Sequence, residues 1–561
     1  MIRKTVQGVK KIKGFLAGVV LMLVVSLFIQ AQRTDSAFEL SKNLDIFATL
    51  FKELNTNYVD PLEPGKLVKT GIDAMLEELD PYTNYITESD IEDYEFQTTG
   101  RYGGIGATMR KRGEEIYVGD VYENSPAMKA GLHPGDLIIN IDNEPATGKS
   151  IEAISQMLKG SPGTQVSLLI RDAYTSEQAT KIITRGEIEL SSVPYAGFIG
   201  SDSSYAYVKL TQFTPGCSRL VRNALDSLRK VRPDFKGVVL DVRNNPGGLL
   251  DEAVAVCNLF VDRGQLVVST KGKLKEAEKD YRTPAQPWDK NIPLAVLINR
   301  SSASASEIVA GTMQDLDRGI VIGERSYGKG LVQMTRPLGF NARLKLTTAR
   351  YYTPSGRCIQ AIDYSNRNAD GSVAEIPDSL KQTYKTENGR IVRSGGGVEP
   401  DIKVEDEPIS KLAVMLYTKN YLFDYATEYV REHKNITHPA RFTLSDTEFN
   451  KFAKWLEGKD YAYKTQTEIA LDSLRNIATR EKYFEAMKGE YESLLTKVAH
   501  DKQQDLIKHK DEIKKLLGNE IVSRYYFLRG RIEHSLSTDE DVAQALTTLT
   551  QPGRYKELLT P

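Results

Sequence analysis

The chain has 561 residues, with 74 Lys and Arg against 75 Asp and Glu. That length implies several domains, and the balanced charge gives no basic field for nucleic acid. Three cysteines (Cys217, Cys257, Cys358) are too few and too irregular for a disulfide framework or a thiolate metal site. At the N-terminus Arg3, Lys4, Lys10, Lys11 and Lys13 precede an uncharged apolar run from Phe15 to Ile29. This is the pattern of an export signal or a signal anchor. The run falls short of the ~20 residues of a full span, but Ile29-Gln30-Ala31 is a poor cleavage site, so a retained anchor over 1–33 is expected. The positive flank stays inside, which makes the remainder exported, periplasmic and tethered to the inner membrane.

Leu40, Leu44, Phe47, Leu50, Phe51 and Leu54 recur at helical spacing. They predict a helical N-terminal domain over 34–98, whose apolar face suits a helical layer or a dimer contact. From Gly100 the character changes. Tyr102-Gly103-Gly104-Ile105-Gly106 leads into strand-like Thr108–Arg110 and Ile116–Val121. Ser125-Pro126-Ala127 to Gly131-Leu132, the turn His133-Pro134-Gly135-Asp136, a strand Leu137–Ile141, a helix Ile151–Leu158 and a last strand Gln165–Arg171 follow. This order resembles a PDZ domain, expected over 99–187. The N–H groups of the Tyr102–Gly106 loop (Tyr102, Gly103, Gly104, Ile105, Gly106) are expected to hold a peptide carboxylate, and the adjoining strand edge to pair with the peptide.

Between 188 and 404, strand, glycine turn and helix recur. Gly237–Val242 ends at Arg243-Asn244-Asn245-Pro246-Gly247-Gly248, and a helix Leu249–Phe260 follows. Leu294–Ile298 ends at Asn299–Ser304, then a helix Ile308–Leu316 and a strand Ile320–Gly323. This is βαβ architecture with a buried, mostly parallel sheet. Sites on such sheets lie beyond the carboxyl ends of the strands, so both turns are expected at one crevice. The polar span 363–394 reads as a surface excursion. Beyond 405 the chain reads as a helical C-terminal domain with a lysine-rich solvated face.

A serine at the 301–306 turn suits attack on a carbonyl, with N–H groups at the helix start holding the oxyanion. The same residues fit a capping box, Ser304-Ala305-Ser306-Glu307, and spacing does not choose among Ser301, Ser302, Ser304 and Ser306. No histidine lies between His133 and His433, which weakens a Ser–His–Asp triad. Lysine is the substitute base, and Lys329, between Gly328 and Gly330, is the candidate. Its usual pKa of about 10.4 must fall for it to be neutral near pH 7, as burial allows.

Three motifs together carry a family resemblance: Ser302-Ala303-Ser304-Ala305-Ser306-Glu307-Ile308, Tyr327-Gly328-Lys329-Gly330 with Gln333, and Asp241-Val242-Arg243-Asn244-Asn245-Pro246-Gly247-Gly248. From about 40 to 404 the chain resembles the carboxyl-terminal processing, or tail-specific, proteases of the serine–lysine type. The resemblance implies Ser304 as nucleophile, Lys329 as general base and Gln333 orienting the lysine. It implies an oxyanion hole from the Ala305 N–H and an N–H of Gly247 or Gly248. It implies an α/β multidomain fold: a crotonase-like core with an inserted PDZ domain, a helical N-terminal region and a helical C-terminal extension. The expected function is cleavage of proteins with exposed apolar C-termini, without metal or organic cofactor. Arg171, ending the last PDZ strand, is the expected relay of tail docking, and the helical regions are candidates for self-association or adaptor contact. A non-catalytic PDZ scaffold is the alternative; an acyl-thioester enzyme would not require an export signal or a PDZ module.

Overall fold

The computed structural model describes residues 37–561 apart from 369, 406–407 and 499–501. The expected anchor at 1–33 lies outside the described residues, among which no helix is long and apolar enough to cross a membrane. Residues up to Tyr85 form one unit and Ile86–Pro561 another. In the first, the described residues form a helix over 37–57 and a helix Pro64–Glu77. Phe38, Leu40, Leu44, Phe47, Leu50 and Leu54 are each at least 39 % exposed, so the apolar face read from the sequence is not packed into a core.

The second unit is organised by a six-stranded sheet in the order Tyr195–Ile199, Tyr205–Lys209, Gly237–Asp241, Leu294–Ile298, Ile320–Gly323 and Ile402–Lys403. The first pair is antiparallel and the others parallel. Gly237–Asp241 and Leu294–Ile298 are buried at every residue, as parallel strands covered on both faces must be. One face packs on helices Cys217–Val231, Leu250–Cys257 and Ala305–Asp315 through Val221, Leu225, Val254, Ile308 and Val309. An antiparallel sheet with Leu331–Pro337, Arg343–Tyr352, Leu266–Gly272 and Lys279–Arg282 stands beside it.

The other face of the parallel sheet corrects the expectation for the C-terminus. Helices Glu540–Leu549 and Pro552–Leu558 lie on it, with Val542, Ala545, Leu549 and Tyr555 packed against Tyr205, Tyr207, Val239, Leu297 and Ile322. The end of the chain therefore completes the core of the α/β domain rather than forming a solvated appendage. Residues 411–535 bury a second core around Leu416, Phe452, Leu517 and Ile521. This helical body also braces the PDZ-like domain. Arg112 pairs with Asp424, Arg531 meets Asp120 at 3.0 Å, and Arg431 donates to the Ala173 carbonyl at 2.7 Å.

Two further expectations change. Gln165–Arg171 is not the last strand of its domain, because Gln178–Thr184 pairs with it from Gln165↔Thr184 to Arg171↔Gln178. That strand is half polar and mostly exposed, so its alternation is weak. The span 363–394 is not simply a surface excursion. It forms two small hairpins, and Arg390 turns back to meet Asp317 at 2.6 Å and Asp401 at 2.5 Å, with 13 % of its side chain exposed.

The packing of the last helices yields a stability prediction. Trp288 lies in the α/β domain and Trp455 in the helical body, and the chain has two tryptophans. In a Trp455→Phe background, Leu549→Ala should lower the unfolding free energy read by Trp288 fluorescence in urea by about 2–5 kcal/mol. An unchanged Trp288 transition would mean that the last helices do not stabilise the sheet.

Candidate active site

Three neighbouring parallel strands end at the same edge. Gly237–Asp241 runs into Arg243–Gly248, Leu294–Ile298 into Asn299–Ser304, and Ile320–Gly323 into Glu324–Gly330. Their carboxyl ends place Gly247, Gly248, Ser304, Ala305 and Lys329 around one cleft of about 640 Å³, with Gln333, Lys345 and Tyr351 from the antiparallel sheet.

The structure separates the four serines that spacing left open. Ser302 is buried and donates to the Val242 carbonyl at 2.9 Å; Ser306 is buried and donates to the Asn245 carbonyl at 2.9 Å. Both stitch the serine turn to the glycine turn. Ser301 is exposed outside the cleft lining, whereas Ser304 is half-buried within it. Ser304 has φ 56° and ψ −113°, outside the wells open to side-chain-bearing residues. Such a conformation costs about 1–3 kcal/mol and collects at functional sites. The helix begins at once with Ala305, three residues earlier than read from the sequence. The capping box read from the sequence is present: the Ser304 N–H donates to Glu307 at 2.8 Å, and the Glu307 N–H also meets the Ser304 backbone carbonyl at 2.8 Å. The Tyr351 hydroxyl donates to the same Ser304 carbonyl at 3.1 Å.

Glu307 does far more than cap. Its buried carboxylate accepts from the Ser304 N–H (2.8 Å), the Ser326 hydroxyl (2.5 Å), the Gly328 N–H (2.7 Å) and the Lys329 N–H (2.9 Å). One side chain thus fixes the serine turn and the lysine turn to each other. Burial pushes its carboxyl up to about 6, while these hydrogen bonds pull it down.

The glycine turn is built for close approach. A Cβ on Gly247 would stand 2.8 Å from the Ser304 Cβ and 2.9 Å from the Ala305 nitrogen, and one on Gly248 2.3 Å from the Phe213 carbonyl oxygen. Their φ values, 102° and 140°, also exclude larger residues. The Gly247 N–H is already committed to Asn245 Oδ1 at 2.9 Å. Of the two N–H groups left open by the sequence, that of Gly247 is thus engaged within its own turn. Gln333 donates from its amide nitrogen to the Thr347 hydroxyl at 3.1 Å.

The peptide groove expected in the PDZ-like domain is a cavity of about 520 Å³ between strand Ala107–Arg112 and helix Ile151–Leu158. Tyr102 and Ile105 line it, with Thr108 and Met109 of the adjoining strand and with Ala107 and Ile151, which were not among the expected peptide contacts. Gly103, Gly104 and Gly106 are not in its lining. Arg101–Gly104 is a strand paired with Gly186–Glu189 rather than an open loop. Phe96 and Gln97, on helix Ile91–Thr99, line both this groove and the serine cleft. Arg171 is exposed at its strand end, its side chain makes no hydrogen bond or ion pair among the described residues, and it is not in the cleft lining. Sequence reasoning also missed Tyr351 and Lys345 in the cleft, and it took Glu307 for a cap.

Residues 204–365 match the family described as peptidase family S41, residues 117–172 a PDZ domain, and residues 412–549 the C-terminal helical domain of a probable PDZ-protease. A carboxy-terminal-processing protease of Bartonella bacilliformis is 36% identical over 357 residues, 63% of this chain and 81% of the relative. A probable CtpA-like serine protease of Staphylococcus haemolyticus is 29% identical over 435 residues, covering 77% of this chain and 79% of the relative. Among solved structures, a photosystem II D1 C-terminal processing protease is 27% identical, covers 64% of this chain and 92% of its own, and has a TM-score of 0.34. With a strained serine and a lysine lining one cleft, and with these family matches, the chain belongs to peptidase family S41 and is a serine-type peptidase carrying a PDZ domain and a helical C-terminal domain.

Proposed function

We propose that the protein is an endopeptidase that takes protein C-terminal tails on its PDZ domain and cleaves them with Ser304 and Lys329. The carrying observation is Ser304, held at φ 56° in a cleft that Lys329 also lines. Neutral Lys329 removes the Ser304 proton as the hydroxyl attacks the peptide carbonyl. The Ala305 and Gly248 N–H groups receive the oxyanion. Lys329 then passes the proton to the leaving amine, and water releases the acyl-enzyme. Gln333, whose amide nitrogen is on Thr347, has its carbonyl oxygen as the acceptor for the lysine. Tail recognition is supported by the groove beside Ile151–Leu158 and by its wall shared with the cleft at Phe96 and Gln97.

The parallel sheet with its crossover helices supports a crotonase-like reading of the core, with the domains at 34–98, 99–187, 188–404 and 405–561. The basic flank and apolar run before Gln30 support export to the periplasm and an inner-membrane anchor. The exposed apolar face of helix 37–57 supports self-association or adaptor contact.

Residues 34–561 should cleave a loosely folded reporter with an apolar C-terminal tail, and both Ser304→Ala and Lys329→Ala should abolish cleavage. Persistent cleavage by purified Ser304→Ala would remove the nucleophile assignment, and intact activity in Lys329→Ala would move the base elsewhere.

Glu307 gives a pH prediction. Protonated, it would present a donor to a ring of donors, so kcat should fall as pH drops through about 6. Stability should run the other way. The raised carboxyl contributes stability that is fully present below its ordinary 4.5 and is lost as pH rises through about 6. Glu307→Gln should lose about 100-fold in kcat and should lack the acid limb near pH 6. A parent-like pH–rate profile in that variant would show that the carboxylate does not hold the two turns.

A further inference from the structure

We propose that Lys345 is a specificity-determining residue that receives a carboxylate of the substrate inside the cleft. This rests on the protease reading above and names the chemistry of its substrate. The cleft lining contains two charged side chains, Lys329 and Lys345, and no acid. Lys329 must be neutral to act as base, which leaves Lys345 as the charge that an incoming peptide meets.

Its placement follows from the strand. Lys345 and Tyr351, both on strand Arg343–Tyr352, line the cleft. Tyr351 reaches the Ser304 carbonyl and Thr347 holds Gln333, so Lys345 stands two residues beyond the Gln333 anchor. Across the sheet it is opposite Thr335, whose hydroxyl meets that of Tyr94 at 2.5 Å. Tyr94 belongs to helix Ile91–Thr99, the element that supplies Phe96 and Gln97 to both the PDZ groove and the cleft. Lys345 therefore stands across the sheet from the residue that meets the helix shared by cleft and groove.

Lys345 is half-buried, and its side chain forms no hydrogen bond or ion pair among the described residues. Burial lowers its ammonium from the usual value, and no neighbouring charge of either sign contributes. A partly desolvated, uncompensated ammonium is stabilised by an entering anion more than a solvated one is. On a peptide that anion is a carboxylate, either an acidic side chain near the scissile bond or the free terminus of a short tail.

The test uses residues 34–561 and four fluorogenic peptides of one sequence. A Glu near the scissile bond is present or replaced by Gln, and the terminus is free or amidated. The parent should prefer the peptide with the recognised carboxylate by about tenfold in kcat/KM. The peptide that carries this preference identifies the source of the carboxylate. Lys345→Gln should bring that peptide down to the level of its neutral counterpart, Lys345→Arg should retain most of the preference, and Lys345→Glu should favour a peptide with Lys in place of the Glu. A terminus preference that survives Lys345→Gln belongs to the PDZ groove and counts against the proposal. So does an equal slowing of all four peptides, which would assign the lysine to proton transfer or to the fold. Binding of the same peptides to Ser304→Ala and to Ser304→Ala with Lys345→Gln, read by anisotropy, measures the preference without turnover. Failure of the protease reading and failure of this one are thereby distinguishable.

Discussion

One buried carboxylate sets the geometry on which the site depends. Ser304 and Lys329 come from different turns after different strands, and nothing in the sheet alone fixes their separation. Glu307 accepts from the Ser304 N–H and from the Gly328 and Lys329 N–H groups at 2.7–2.9 Å. An unsatisfied buried donor costs about 1–3 kcal/mol, so removing this acceptor would release both turns at once. The same bond turns the Ser304 N–H back toward Glu307, which goes with the strained backbone at that residue. Burial of the carboxylate raises its pKa; the arrangement is a costly one, kept where the chemistry needs it.

The glycine turn is laced to this unit by a second set of bonds. The Asn245 carbonyl accepts from the Ala303 N–H and the Ser306 hydroxyl, and the Val242 carbonyl accepts from Ser302. Behind the turn, Asp241 holds Arg243, which also reaches Asp539 and Asp541 from the C-terminal helices at 2.7–2.9 Å. The last helices therefore touch the site's foundations as well as covering the sheet. This gives the helical C-terminal domain a physical place in the enzyme: it closes the core, braces the PDZ domain and backs the glycine turn.

The long apolar runs were legible in the sequence. Leu294–Ile298, Ile320–Gly323, Leu137–Ile141 and Ile151–Leu158 have the bounds that periodicity and turn residues assign, because burial on both faces or one clear face writes itself into the pattern. Strands such as Leu266–Gly272 and Leu331–Pro337 were not legible, since polar residues, among them exposed Lys271 and Arg336, interrupt their apolar pattern. The residues now gathered at the cleft were legible one turn at a time, as small residues after strands. Their mutual arrangement was not. A Glu three residues after a Ser signals a cap, and its second set of partners, 19 to 22 residues on, exists only in the fold. The same holds for Lys345, one lysine among many until the sheet brings it into the lining of the serine cleft.

The central claim is that Ser304 is a nucleophile activated by Lys329. Covalent labelling tests it most directly. A peptidyl electrophile that acylates active serines should leave one adduct, located by peptide mass spectrometry on Ser304, and the adduct should form at a negligible rate in Lys329→Ala. Labelling on another residue, or labelling of Ser304 at the parent rate without Lys329, would contradict the account.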